Sequence, residues 1–214
     1  MSQFEIIDGV AVIPEGTQHI ATHAFKDCTE LERVVLPEGI KTIGSGAFRG
    51  CSSLNSIELP EGLEKIDSRA FKGCSSLRCI HIPASVTTLE WGLLEDCVSM
   101  ESITVAEGNE ILDSRDGCNA IIRTKTNALL AGCKSTVIPS SVTYIAVTAF
   151  AGCTGLTDIV IPDSVQTISA GAFQGCTGLT RINIPASVTK LETHNPYYAE
   201  TLYHPFNGCE NLVS

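Results

Sequence analysis

A 23-residue interval governs this chain. Cys28, Cys51, Cys74 and Cys97 stand one interval apart, Cys153 and Cys176 repeat it, and Phe25, Phe48, Phe71, Phe150 and Phe173 each precede their cysteine by three residues. Pro14, Pro37, Pro60 and Pro83, then Pro139, Pro162 and Pro185, hold the same step, so seven of the nine prolines occupy one structural position. A register shared by a ring, a thiol and a turn former marks one supersecondary unit repeated in space.

The turn from Cys51 to Gly73 offers Cys51, Leu54, Ile57, Leu59, Leu63, Ile66, Ala70 and Phe71 as inward side chains. No single turn can bury that set, whereas stacked turns cover one another's apolar faces and form a continuous core. The alternation from Leu54 to Leu59 reads as a short strand, which Pro60 ends by removing a ladder donor. The following segment, Leu63 to Phe71, returns across the far side in a conformation the pattern leaves open. Apolar residues are 43% of the chain and charged ones 18%, enough to build a core and unlike a disordered composition.

The pattern Ile-Pro-x-Ser-Val-x-x-Ile followed by Ala-Phe-x-Gly-Cys-x-x-Leu, nearly whole from Ser164 to Leu179, resembles the BspA-like leucine-rich-repeat family. The likeness runs over roughly residues 10–214 apart from two departures. With the periodicity it gives the expected fold: an α/β or mainly β solenoid, a curved right-handed leucine-rich-repeat coil of about eight turns with a parallel strand face, one domain over residues 1–214. Gly62 and Ser85 stand where classical leucine-rich repeats have asparagine or cysteine, so no asparagine ladder is expected. The resemblance implies a bacterial protein, often surface-displayed or secreted, that binds host or neighbouring-cell macromolecules.

The two departures are irregular insertions at about 107–133 and 193–205. In the first, Ala120 to Thr124 and Ala128 to Ala131 have hairpin character, with turns at Asp116-Gly117 and near Asn127. Asp113, Asp116 and Asn119 lack the alternating ligands of a calcium loop and read as a plain turn. The second carries three of the four tyrosines, Tyr197, Tyr198 and Tyr203, and is the first candidate for a specific contact. Phe4 to Pro14 can cap one end of the core, and the last turn stops before its strand, an edge open to self-association.

Ten cysteines raise the question of disulfides or zinc. Stacked equivalents should sit near the ~4.8 Å strand spacing, beyond the ~3.8 Å Cβ separation of a typical disulfide, so the ladder reads as buried thiols. No Cys-x-x-Cys pair occurs, and no metal or cofactor is expected. Cys79 and His81 point outward together, but a strand face lacks the pocket and orienting group that nucleophilic catalysis needs, so the expectation is not an enzyme. Trp91 reads as core or flank packing.

Strand alternation gives one outward column of Val35, Glu58, His81, Thr104, Val137, Val160 and Asn183, flanked by columns containing Arg33, Asp158 and Arg181 and containing Glu32, Arg78, Glu101 and Lys134. Charges there balance, four against four, and the excess acidity of the chain, 24 acidic against 14 basic residues, lies elsewhere. A net charge of −10 opposes binding to nucleic acid or anionic lipid. A mixed face with exposed valines suits a protein or peptide, with glycan a further possibility. The expected function is a binding scaffold using Arg33, Val35, Glu58, Arg78, His81, Val137, Asp158, Val160, Arg181 and the tyrosine loop; the alternative is a structural spacer or cell-surface adhesin segment of a longer repeat protein. No apolar run nears the roughly 20 residues of a membrane span, and Met1 to Glu5 opens without a leader, which reads as soluble and cytoplasmic.

Overall fold

Proline and glycine set the corners of each turn. The carbonyls of Pro37, Pro60, Pro83, Pro139, Pro162 and Pro185 each accept the N–H three residues on, as in Leu63 N to Pro60 O at 3.0 Å. Each thus stands as the first residue of a β-turn. At the corner before the cysteine the backbone is left-handed: Gly50, Gly73, Gly152 and Gly175 have φ between 68° and 76°, and Asp27 and Asp96 hold the same place.

The computed structural model describes residues 4–194 and 204–213. It is a parallel-strand β-solenoid, and a three-residue 3-10 turn, Arg115–Gly117, is its one helical element among the described residues. Front strands are β1 (Val10–Val12), β3 (Arg33–Val35), β5 (Ser56–Ile57), β7 (Cys79–Ile82) and β9 (Ser102–Val105). The return segment forms a second set of parallel strands: β2 (His19–Ile20), β4 (Thr42–Ile43), β6 (Lys65–Ile66), β8 (Thr88–Leu89), β13 (Tyr144–Ile145), β14 (Thr167–Ile168) and β15 (Lys190–Leu191). The front strands are shorter than the six-residue alternation suggested, because the chain bends at both ends of each coil. Of the eight inward side chains in the Cys51–Gly73 turn, seven are buried; Leu59, at the strand end, is half-buried.

Between the two strand sets the phenylalanines stack. Centroids are 5.6 Å apart for Phe4–Phe25, 5.3 Å for Phe25–Phe48 and 5.4 Å for Phe48–Phe71, then 5.0 Å for Phe150–Phe173 and 5.3 Å for Phe173–Phe206. Phe25, Phe48, Phe71, Phe150 and Phe173 are fully buried, with Phe4 and Phe206 partly buried at the two ends, and near-parallel rings at this spacing follow from identical coils superimposed one strand width apart. The cysteines do more than fill space. Five of them place Sγ 3.0–3.1 Å from the phenylalanine carbonyl of the preceding coil, Cys51 on Phe25, Cys74 on Phe48, Cys97 on Phe71, Cys176 on Phe150 and Cys209 on Phe173. A serine could make the same bond but would bury a more costly hydroxyl.

The first insertion is a hairpin of β11 (Ala120–Arg123) and β12 (Ala128–Gly132), with β10 (Leu112–Asp113) antiparallel to β11. Strand β12 turns back into the rear ladder by pairing in parallel with β13. The hairpin partitions the interior: Ile121, Ala131 and Cys133 pack into the N-terminal core cluster, and Ala120, Ile122 and Leu129 into the C-terminal one. At the phenylalanine corner it is bypassed, because Asp96 N bonds Ala151 O directly at 3.0 Å.

Candidate functional site

The front face is built by strand register. Val12 lies opposite Val35, Arg33 opposite Ser56, His81 opposite Thr104, and Val160 bridges to Asn183. Inward neighbours Val34, Ile57, Ile80 and Ile103 are buried, which forces the alternate residues into solvent. Arg33, Val35, Glu58, Arg78, His81, Val137, Asp158, Val160 and Arg181 are all exposed. Val137 and Val160 are 71% and 75% exposed, far more open than Val35 at 39%. Val12, 65% exposed and in register beside Val35, belongs to the same column. Its 23-residue spacing to Val35 was the signal for it. The result is an apolar pair at each end of the face with Glu58, His81 and Thr104 between.

Charges on this face are displayed rather than neutralised. Lys134 and Glu101 pair at 3.2 Å across the insertion. Among the described residues Arg33, Arg78 and Arg181, and Glu32, Glu58 and Asp158, make no ion pair. Beside the face runs a polar trough of about 410 Å³ lined by Glu32, Ser53, Asn55, Ser76, Arg78 and Ser99, with opposite charges at its ends. A smaller depression of about 130 Å³ lies over Arg33, Val35, Ser56 and Glu58.

Asn119 holds the face together where the insertion would split it. Its Oδ1 accepts Ile103 N at 2.6 Å, and its Nδ2 donates to Glu101 O at 2.7 Å and Ser135 Oγ at 2.6 Å. One side-chain amide therefore substitutes for a strand backbone. Asp113 grips Arg115 through both carboxylate oxygens, at 2.7 and 2.6 Å, and accepts Thr124 Oγ1 at 2.8 Å. Desolvation opposes ionisation there, but the Arg115 and Thr124 hydrogen bonds hold its carboxyl below the usual range. These residues, which superficially suggest calcium, serve the turn.

His81 Nδ1 lies 2.8 Å from Thr104 Oγ1, so the imidazole is engaged across strands and not with Cys79. All ten cysteines are free thiols. Burial pushes the Cys51 and Cys153 thiols up to about 12 and raises Cys74, Cys97 and Cys176 in the same direction. A thiol-reactive dye applied to native protein is therefore expected to label Cys79 first, with Cys79→Ser removing the fast phase; a fast phase surviving that substitution contradicts the burial described here. Tyr197, Tyr198 and Tyr203 lie outside the described residues.

A family model described as a BspA type leucine rich repeat region matches residues 10–116 and 123–213, in six copies. No curated protein matches the sequence. Among solved structures, a leucine-rich repeat protein of Eubacterium ventriosum aligns at TM-score 0.68 and 23% identity, covering 95% of this chain and 64% of its own. The pneumococcal vaccine antigen PcpA aligns at TM-score 0.70 and 23% identity, covering 93% of this chain and 54% of the antigen. A leucine rich repeat protein of T. pallidum is 30% identical at TM-score 0.50, covering 83% of this chain and 70% of that one. The chain thus spans less than two thirds of the first and second of these proteins. No described helix is long and apolar enough to cross a membrane.

Proposed function

The chain belongs to the BspA-type leucine-rich-repeat family, and from that premise we propose that it is a non-enzymatic scaffold that holds a protein or peptide on its front strand face. One observation carries the reading: six charges are held there without ion-pair partners among the described residues, on coils that also carry or flank two pairs of exposed valines. Solvated charges that already pair with one another gain little from a partner, whereas unpaired ones in fixed register can select it. The valine pairs supply apolar burial on either side, at about 25 cal/mol per Å² removed from water. Glycan fits this face less well, since the described front column carries no aromatic platform.

Affinity capture from native lysate and culture supernatant tests the reading. Arg33→Glu with Arg181→Glu is expected to lose the partners held by the unmodified chain, while a rear-face reversal of equal charge, Lys65→Glu with Lys190→Glu, retains them. Identical capture by both variants would move the contact away from this face. A second reading, a spacer or adhesin segment, is supported by the chain matching only 64% and 54% of two longer proteins that share its fold; it expects no captured partner from either variant.

A further inference from the structure

The hairpin that interrupts the solenoid leaves a cleft on the rear face. Strand β8 ends the ladder β2-β4-β6-β8, and β12 begins the next run of parallel pairs without pairing to β8. The opening, about 710 Å³, is lined by Leu89, Glu90, Trp91, Arg123, Tyr144 and Val147, with threonine and alanine side chains between them. That volume lies within the roughly 300–1,000 Å³ of small-ligand sites.

The walls are held in place. Trp91 is fixed by Arg69, whose guanidinium carbon lies 4.2 Å from the ring centroid. The Tyr144 hydroxyl is anchored 2.6 Å from Ser169 Oγ, which in turn contacts Glu192. Arg123 is different. Among the described residues its side chain's one hydrogen bond is from Nη2 to Leu89 O at 3.3 Å, its Nε is buried without a partner, and no carboxylate lies within ion-pairing distance. A guanidinium has five donors in a planar fork suited to a carboxylate. Arg123 is thus a half-buried cation with no ion-pair partner among the described residues, set beside apolar walls in a chain of net charge −10. Glu90 also lines the cleft, as an exposed residue that forms no ion pair with Arg123.

We propose that this cleft is a second binding site, independent of the front face, for a carboxylate-bearing small molecule with an apolar body. The carboxylate pairs with the free Nη donors of Arg123, and the body lies against Leu89, Val147 and the Trp91 and Tyr144 rings. Glu90 at the cleft works against a second negative charge and favours a monoanion.

Trp91 is the chain's only tryptophan, so its fluorescence reports on this cleft alone. Titration with phenylbutyrate is expected to give a saturable emission change, weakened about tenfold or more for the uncharged phenylbutyramide and for Arg123→Gln. Ala146→Leu, which narrows the cleft and keeps the charge, should abolish binding with circular dichroism unchanged. Absence of saturation with unmodified protein overturns the proposal, as does equal affinity for acid and amide. Both readouts use the native chain, so they decide the matter even if Arg123→Gln misfolds. The Arg33/Arg181 variant should bind phenylbutyrate normally, which separates this site from the front face.

Discussion

Gly132→Ala is expected to destabilise the protein by about 3 kcal/mol, the reverse of what a glycine-to-alanine change in a strand usually does. Gly132 ends β12 outside the left-handed region, so alanine is conformationally acceptable there and would ordinarily gain about 0.5–1 kcal/mol. Space decides the sign. A Cβ at this position would stand 2.2 Å from Phe150 Cε1, 2.7 Å from Cζ and 2.9 Å from Cδ1. Phe150 cannot retreat, because it is fully buried and stacked on Phe173 at 5.0 Å. Thermal unfolding should fall by roughly 6–12 °C, at about 2–4 °C per kcal/mol for a domain of this size. Gly39→Ala, whose Cβ would meet nothing nearer than Thr17 O at 3.5 Å, is the control and should be nearly silent. Adding Phe150→Leu to Gly132→Ala should recover part of the loss. If Gly132→Ala melts with the unmodified protein, the ring does not sit over β12 as described.

Alkaline pH is expected to unfold this chain well before its lysines lose their charge. An unfolded thiol titrates near 9.0, whereas burial holds Cys51 and Cys153 at about 12 in the folded state and raises Cys74, Cys97, Cys118, Cys176 and Cys209 as well. Raised folded values mean that the stabilisation is complete below pH 9 and is lost as pH climbs toward 12. In that window the unfolded chain has released protons that the folded one retains. Each such thiol then removes about 1.4 kcal/mol per pH unit, and several acting together remove on the order of 5–10 kcal/mol per unit. Denaturant unfolding under reducing conditions at pH 7, 9 and 10 should show little change over the first interval and a steep fall over the second. Replacing Cys51, Cys74 and Cys97 by alanine should lower stability at pH 7 and flatten the fall. A level profile up to pH 10.5 would contradict a buried thiol column.

Much of this fold was legible because the periodic residues do the packing. Phe48, Phe71 and Cys74 recur at 23 residues since each must meet its equivalent one strand width away, and Pro60 marks the same corner in every coil. The hairpin, too, was visible in Ala120–Thr124 and Ala128–Ala131. Its consequences were not. That β12 rejoins the rear ladder beside Tyr144 depends on pairing between residues no local pattern links. The cysteine-to-carbonyl bonds required knowing that the preceding coil presents the Phe25 or Phe48 carbonyl. Trp91, read as packing, does pack against Arg69, yet it also walls a cleft that exists only because β8 and β12 part. The exposed front column followed from alternation alone, while its lack of ion pairs depended on rotamers.

The direct link from Asp96 to Ala151 has a meaning for how such rods acquire new parts. Along that seam the coil before the hairpin and the coil after it are already neighbours, so the extra segment never had to bridge them. A newcomer spliced in there needs to satisfy only the two strand-bearing sides, and the uninterrupted side keeps the halves aligned while it does so. Variation in length should therefore gather opposite the seam, where lineages can try out loops without dismantling the column that carries them.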